Sequence, residues 1–250
     1  MKVTVNPKYA SSRSILQFAE GIAGEFPAGE LVQQGSRNVL RRFAVGGRNL
    51  VVKRFGRPNA VNRVAYTFLR KPKGQRAYEY ALRMLGAGFD TPEPVAYIEF
   101  RRWGMVSDSY FVSAECTYSR RFYEFGDADV RGCEDIVRAF ARYAAAFHEA
   151  GMLHRDFSPG NILFDKVDGE WKFSFVDINR MHFGPVDVKT GCRNFARLWG
   201  QPDFFRVIAD EYAKARHADA AECFATVRAA RRAFWTRFAR RHKVKYRLEL

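Results

Sequence analysis

The pattern of hydrophobic and polar residues reads as mostly strand through the first half of the chain and as mostly helix through the second. Residues 31–34, 38–45 and 48–55 read as three short strands, the last with Val51, Val52 and Phe55 as its apolar residues. Gly35-Ser36-Arg37 turns the first strand into the second, and Gly46-Gly47 predicts a tight hairpin between the second and third. A basic, aromatic-bearing stretch over 57–74 is broken by Pro72. The spacing of Ala77, Tyr80, Ala81, Met84 and Leu85 predicts a helix over 75–85, which Gly86 and Gly88 terminate. Pro92 and Pro94 lead into a strand over 95–100, and a turn at Gly104 leads to another over 109–115.

Farther along, Ile136, Phe140, Ala144 and Phe147 share one face of a long amphipathic helix over 134–149, and Gly151 stops it. Residues 162–164 and 171–176 read as a short hairpin turned by Asp168-Gly169. From about Asp187 the pattern is helical and ends in a strongly basic run. No repeat and no low-complexity linker interrupts the chain, and nearly half of its 250 residues are apolar, enough for one two-lobed domain or two small ones.

Cys116, Cys133, Cys192 and Cys223 are scattered without a CxxC pair, so the expectation is buried free thiols in a reducing compartment. The first ten residues lack the apolar core of a signal peptide, and no stretch is apolar enough to span a bilayer. The expected location is therefore the cytoplasm. Lys+Arg is 42 against Asp+Glu 27, a net charge of +15. Such a field attracts polyanions: nucleic acid, anionic membrane surfaces or phosphorylated substrates.

The densest chemical signal is His154-Arg155-Asp156-Phe157-Ser158-Pro159-Gly160-Asn161, followed by Ile162-Leu163-Phe164. It matches the HRDxxxxN catalytic loop of kinases together with its apolar continuation. The spacing has a physical reason. An Asp must accept the proton of the attacking hydroxyl, while an Asn across the loop must reach a magnesium ion beside the phosphates. Asp177 ends the strand after the hairpin, where a second metal ligand belongs; Asp177-Ile178-Asn179 stands where protein kinases carry DFG. Mg²⁺ is a hard cation, so Asn161 and Asp177 offer suitable oxygens. These residues predict ATP and Mg²⁺ as cofactors.

The remaining nucleotide contacts are assigned by order along the chain. Lys53, near the end of the third strand, is placed to reach the α/β-phosphates, with Glu79 on the following helix to hold it. Gly35, Ser36 and Arg37 form a reduced phosphate-covering turn with a single glycine. Glu115 and Thr117 fall where a hinge would meet adenine through backbone groups. His154 reads as a structural residue behind the loop, and Arg155 as one half of a local ion pair. The strand–strand–strand–helix–strand–strand order is that of a kinase small lobe. The expected fold is α+β: a two-lobed protein-kinase-like chain, with an antiparallel-sheet small lobe over 1–116 and a mainly helical large lobe over 117–250.

The segment from Ile178 to about Val188 is short and contains no Ala-Pro-Glu motif, which favours a small-molecule or glycolipid acceptor over a peptide. Three stretches then point to one family: the 154–164 loop, Val176-Asp177-Ile178-Asn179-Arg180-Met181, and Cys192-Arg193-Asn194-Phe195-Ala196-Arg197-Leu198. With Lys53 and Arg76-Ala77-Tyr78-Glu79, the chain resembles the lipopolysaccharide kinases of Gram-negative bacteria, the Kdo/heptose kinase family, over nearly its whole length. The resemblance implies transfer of the ATP γ-phosphate to a Kdo or heptose hydroxyl of the lipopolysaccharide inner core, at the cytoplasmic face of the inner membrane.

An anionic glycolipid (Kdo-bearing lipid A) as partner also accounts for the charge. The basic C-terminal run, Arg228 to Arg247, carries Phe234, Trp235 and Phe238 and suits an interfacial helix on anionic lipid, as does the 63–73 stretch. The competing reading has both as helices packed on the domain with a solvated basic face. Arg/aromatic patterns also bind single-stranded nucleic acid, a partner the catalytic loop disfavours. Residues near Arg180 to Phe183, with Arg193, are the candidates for acceptor contacts. The alternatives are a kinase for another small molecule or for protein, and a pseudokinase that docks on anionic membrane or RNA without turnover.

Overall fold

The computed structural model describes residues 1–35, 38–56 and 71–250. The chain divides into two compact units, Met1–Thr117 and Tyr118–Leu250.

The first unit is built on a six-stranded antiparallel sheet. In chain order its strands are β1 (Lys2–Val5), β2 (Glu30–Gln34), β3 (Asn38–Val45), β4 (Arg48–Phe55), β5 (Pro94–Arg102) and β6 (Met105–Ala114). They are arranged as β1-β5-β6-β4-β3-β2. Gly46 and Gly47 both have positive φ, 56° and 74°, as do Trp103 and Gly104, 57° and 73°. Two successive left-handed residues are what a tight hairpin loop requires for its twist to match that of the strands.

Helix α1 (Arg13–Glu25) buries Ile15, Phe18, Ala19 and Ile22, a helical period along one stripe. With Leu50, Val52, Ala96 and Ile98 of the sheet they form this unit's core. Helix α2 (Lys73–Gly86) meets residues of the alternate sheet register: a Cβ at Gly74 would sit 3.0 Å from the Tyr97 ring and 3.3 Å from the Ser109 hydroxyl. Neither β1 nor α1 was expected from the sequence, where the first 28 residues carried no assigned element, so the opening half is less purely strand than its pattern implied.

The second unit is mainly helical. It contains α3 (Glu134–Glu149), α4 (Val188–Asn194), α5 (Pro202–Ala215) and α6 (Ala220–Ala239) among its described residues. Two small sheets complete it. One joins β7 (Arg120–Arg121), β9 (Ile162–Val167) and β10 (Glu170–Phe175); the other pairs β8 (Met152–His154) with β11 (Met181–Phe183). The β9–β10 hairpin turns on Asp168 and Gly169, at φ 51° and 82°. Phe122, Phe140, Phe147, Phe157, Phe173 and Phe195 are buried together in its core. Asp187 and Asp219 start α4 and α6 by accepting the backbone N–H groups of Thr190 and Glu222, at 2.7 and 2.8 Å.

The basic C-terminal run is not one helix: α6 ends at Ala239 and no helix follows it. The Tyr246 ring packs 5.0 Å from Trp199, and the Arg247 N–H donates to Asp127. Trp235 is buried and its ring lies 4.2 Å from Trp199, while Phe234 and Phe238 are half-buried. Trp235 therefore serves the fold, and Phe234 and Phe238 are partly covered by it. The other stretch proposed for a membrane, 63–73, lies outside the described residues up to position 70. Among the described residues no helix is long and apolar enough to cross a membrane. Cys133, Cys192 and Cys223 are buried free thiols.

Candidate active site

The 154–161 loop is held by a closed set of hydrogen bonds. His154 ends β8 and is fully buried. Its Nδ1 accepts the N–H of Asp156 at 3.1 Å, which leaves Nε2 to carry the proton and donate to the carbonyl of Val176 at 2.9 Å. The Val176 N–H donates in turn to the Asn161 carbonyl at 3.0 Å. Asn161 Nδ2 donates to the Asp156 carbonyl at 2.8 Å. One imidazole thus ties the residue before Asp177 to the backbone of Asp156, and burial pushes the His154 pKa down so that the ring stays neutral. Phe157 anchors the loop from below, its ring 5.1 Å from Phe175 and 5.8 Å from Phe140.

Asp177 follows β10 with φ 56° and ψ 40°, a left-handed conformation that is unusual for a residue with a side chain. This bends the chain sharply into Ile178–Arg180. Asn179, buried, donates from Nδ2 to Asp177 Oδ1. Asn161, with its amide nitrogen spent on Asp156, offers Oδ1 as its acceptor end. One carboxylate and one amide oxygen fit Mg²⁺, which takes oxygen donors, keeps water, and is usually completed by substrate phosphates. Among the described residues no group of three or more His, Cys, Asp or Glu could hold a metal by itself.

The Asp156 carboxylate meets two guanidinium groups. Oδ1 pairs with Arg197 Nη1, and Oδ2 lies 3.7 Å from Arg180 Nη1. The sequence suggests Arg180 as an acceptor contact, but carries no sign that either arginine meets Asp156. Arg155 differs from expectation: its guanidinium lies 3.5 Å from His182 Nδ1, and among the described residues it meets no carboxylate.

In the first unit the nucleotide candidates are placed as follows. Lys53 lies on β4 opposite Leu40 and Phe111, its ammonium 5.3 Å from the Phe55 ring. Glu79 accepts from Lys71 at 2.7 Å and from Gln75 at 2.9 Å, so the Lys53–Glu79 ion pair expected from the sequence is not formed among the described residues. The backbone N–H of Glu115 is engaged by the Asn49 carbonyl at 2.9 Å and its side chain by Arg42 at 2.7 Å, which removes that N–H from an adenine contact. Thr117 is exposed as the last residue of its unit. The Gly35 N–H donates to Asn38 O at 2.9 Å, and a Cβ at this position would make ordinary contact, so the turn does not demand glycine. Ser36 and Arg37 lie outside the described residues.

The family model described as "Lipopolysaccharide kinase (Kdo/WaaP) family" matches residues 33–201, which includes the whole 154–161 loop and Asp177. The chain belongs to the lipopolysaccharide kinase (Kdo/WaaP) family. Family membership makes it a kinase, a phosphotransferase. Among solved structures, it is similar to WaaP in complex with acyl carrier protein, at 18% sequence identity and a TM-score of 0.63. That match covers 96% of this chain and 98% of the other, so this lipopolysaccharide-kinase-family chain shares the mixed helix-and-sheet fold of WaaP. No curated protein matches it by sequence.

Proposed function

We propose that the protein is an ATP-dependent kinase with a protein-kinase-like, two-lobed fold that phosphorylates a Kdo or heptose hydroxyl of the lipopolysaccharide inner core. The observation that supports this reading is the His154 bridge, which links the backbone of Asp156 to Val176, the residue before Asp177, with Asn161 bonded to both. A binding module without turnover has no need of the full set Lys53, Glu79, Asp156, Asn161 and Asp177.

In this mechanism the Asp156 carboxylate accepts the proton of the sugar hydroxyl as its oxygen attacks the γ-phosphorus. The bond from that phosphorus to the β–γ bridging oxygen breaks, and ADP leaves. Asn161 and Asp177 would hold Mg²⁺, which when bound supplies charge neutralisation at the phosphates. Lys53 serves the α/β-phosphates, and Gly35, Ser36 and Arg37 cover them. Glu115 and Thr117 mark the adenine end of the site, with contacts supplied by groups other than the Glu115 N–H.

The net charge of +15 supports an anionic glycolipid acceptor and a position at the cytoplasmic face of the inner membrane. That attraction is electrostatic and falls with added salt. The acyl carrier protein bound to WaaP suggests a carrier-protein partner here as well, which co-elution of the two purified proteins tests. The central experiment is ATP conversion with Mg²⁺ and Kdo-bearing lipid A, wild type beside Asp156→Asn, with mass spectrometry of the lipid. A lipid one phosphate heavier, formed by wild type alone, is the expected result; equal turnover by the variant removes Asp156 from the role of base.

A further inference from the structure

The two arginines on Asp156 are held very differently. Arg180 is 60% exposed and approaches Oδ2 only at 3.7 Å, too far for a hydrogen bond. Arg197 is 37% exposed and pairs directly with Oδ1, while its Nε is buried. Its guanidinium lies 5.4 Å from the ring of Phe234 on α6.

The segment that carries Arg197 is fastened to the same helix at successive points. Arg231 is buried, donates from Nη1 to the Leu198 carbonyl and from Nη2 to the Gly200 carbonyl at 3.1 Å, and lies 3.4 Å from the centroid of the Phe205 ring. Trp235 packs on Trp199. Residues 197, 198, 199 and 200 are therefore each gripped by a side chain of α6, at Phe234, Arg231, Trp235 and again Arg231. Spending two backbone carbonyls of one short segment makes Arg231 a clamp on that segment's path.

We infer that Arg197 is a positioning residue for phosphoryl transfer, and that α6 acts as its brace. The inference rests on the proposed kinase function, with Asp156 as base. Arg197 holds Oδ1, so the carboxylate cannot rotate and Oδ2 becomes the oxygen that receives the hydroxyl proton. The looser, exposed Arg180 yields its place at Oδ2 when the acceptor arrives. A base with a fixed orientation matters because small misplacements of a reacting group cost orders of magnitude in rate. On this view the C-terminal helix, which lies beyond the 33–201 family match, completes the catalytic loop.

The test uses the full chain and measures kcat and KM for wild type, Arg197→Lys, Arg197→Ala, Phe234→Leu and the double variant. Arg197→Ala is expected to lower kcat about 10²-fold, with both KM values within about twofold, the mark of an effect on the transition state alone. Arg197→Lys retains part of the rate, and guanidinium chloride below denaturing concentrations partly restores Arg197→Ala. Phe234→Leu lowers kcat less, and adds nothing in the Arg197→Ala background because it acts through Arg197. An unchanged kcat in Arg197→Ala overturns the inference; so does a loss confined to KM, which would make Arg197 a substrate-binding cation. If Arg197→Ala does not fold, Arg197→Lys and Phe234→Leu decide on the same criteria. A wild type that hydrolyses ATP but modifies no lipid removes the lipid acceptor only, and the series is then read on hydrolysis. A wild type without any turnover removes both.

Discussion

Asn161 Nδ2 donates to the carbonyl of Asp156 at 2.8 Å, so the proposed metal ligand also sets the backbone of the proposed base. Asn161→Ala would remove the oxygen offered to Mg²⁺ and the donor that closes the loop. The expected outcome is a fall in turnover of about 10²-fold or more, with a loss of about 1 kcal/mol of stability from the hydrogen bond. Asn161→Asp keeps an oxygen but loses the donor, and is expected to lose the same stability while tolerating higher Mg²⁺ better. A Mg²⁺ titration of both variants beside a denaturant series separates the two roles.

His148 is buried on α3, where its Nδ1 lies 3.0 Å from the Tyr212 hydroxyl, and burial pushes its pKa down to about 3. Unfolded, it titrates near 6.5. The unfolded chain therefore binds a proton below that pH that the folded chain refuses. The stability associated with neutral His148 is complete above pH 6.5 and is lost as pH falls toward 3. His154 acts in the same direction. Urea unfolding between pH 6.5 and 5 should show a slope reduced by up to about 1.4 kcal/mol per pH unit in His148→Gln relative to wild type. An unchanged slope would mean that His148 is solvated.

Gly191 on α4 leaves no room for a side chain. A Cβ there would overlap the Tyr212 hydroxyl and come 2.9 Å from His148 Nδ1. That hydroxyl also receives Arg216 at 2.9 Å, so it cannot move without breaking a buried chain of hydrogen bonds. Gly191→Ala should cost roughly 1–3 kcal/mol by overpacking, despite alanine's better helix propensity. Thermal unfolding would check this, and a stabilised variant would contradict the packing described.

Glu79 pairs with Lys71, a contact that is 60% exposed on the lysine side. Such a pair is worth at most about 1 kcal/mol. Lys71→Ala and Glu79→Gln should therefore change stability slightly and by similar amounts, and a double-mutant cycle should show them coupled. If Glu79 instead holds Lys53 during turnover, Glu79→Gln alone would raise the KM for ATP sharply while Lys71→Ala would not.

Much of this protein can be read from short stretches, because the forces concerned are local. Gly46-Gly47, Gly104 and Asp168-Gly169 mark tight turns, since few residues accept a left-handed backbone, and all three turns are present. The apolar stripe of α3 follows from its period, since Ile136, Phe140, Ala144 and Phe147 are all buried. The 154–161 loop is recognisable because its residues hydrogen-bond to one another over a few positions. Helix α1 carried the same kind of signal in Ile15, Phe18, Ala19 and Ile22, although no element had been assigned there. What could not be read were partners distant along the chain. Nothing near Arg197 indicates Asp156, nothing near Arg231 indicates the carbonyls of Leu198 and Gly200, and Glu79 was given Lys53 when Lys71 was nearer. Charges pair with whatever packing brings within a few ångströms, and that is settled when the helices dock. Composition made the C-terminal run a candidate membrane helix, whereas packing buried Trp235 and Arg231 and left Phe234 and Phe238 half-buried.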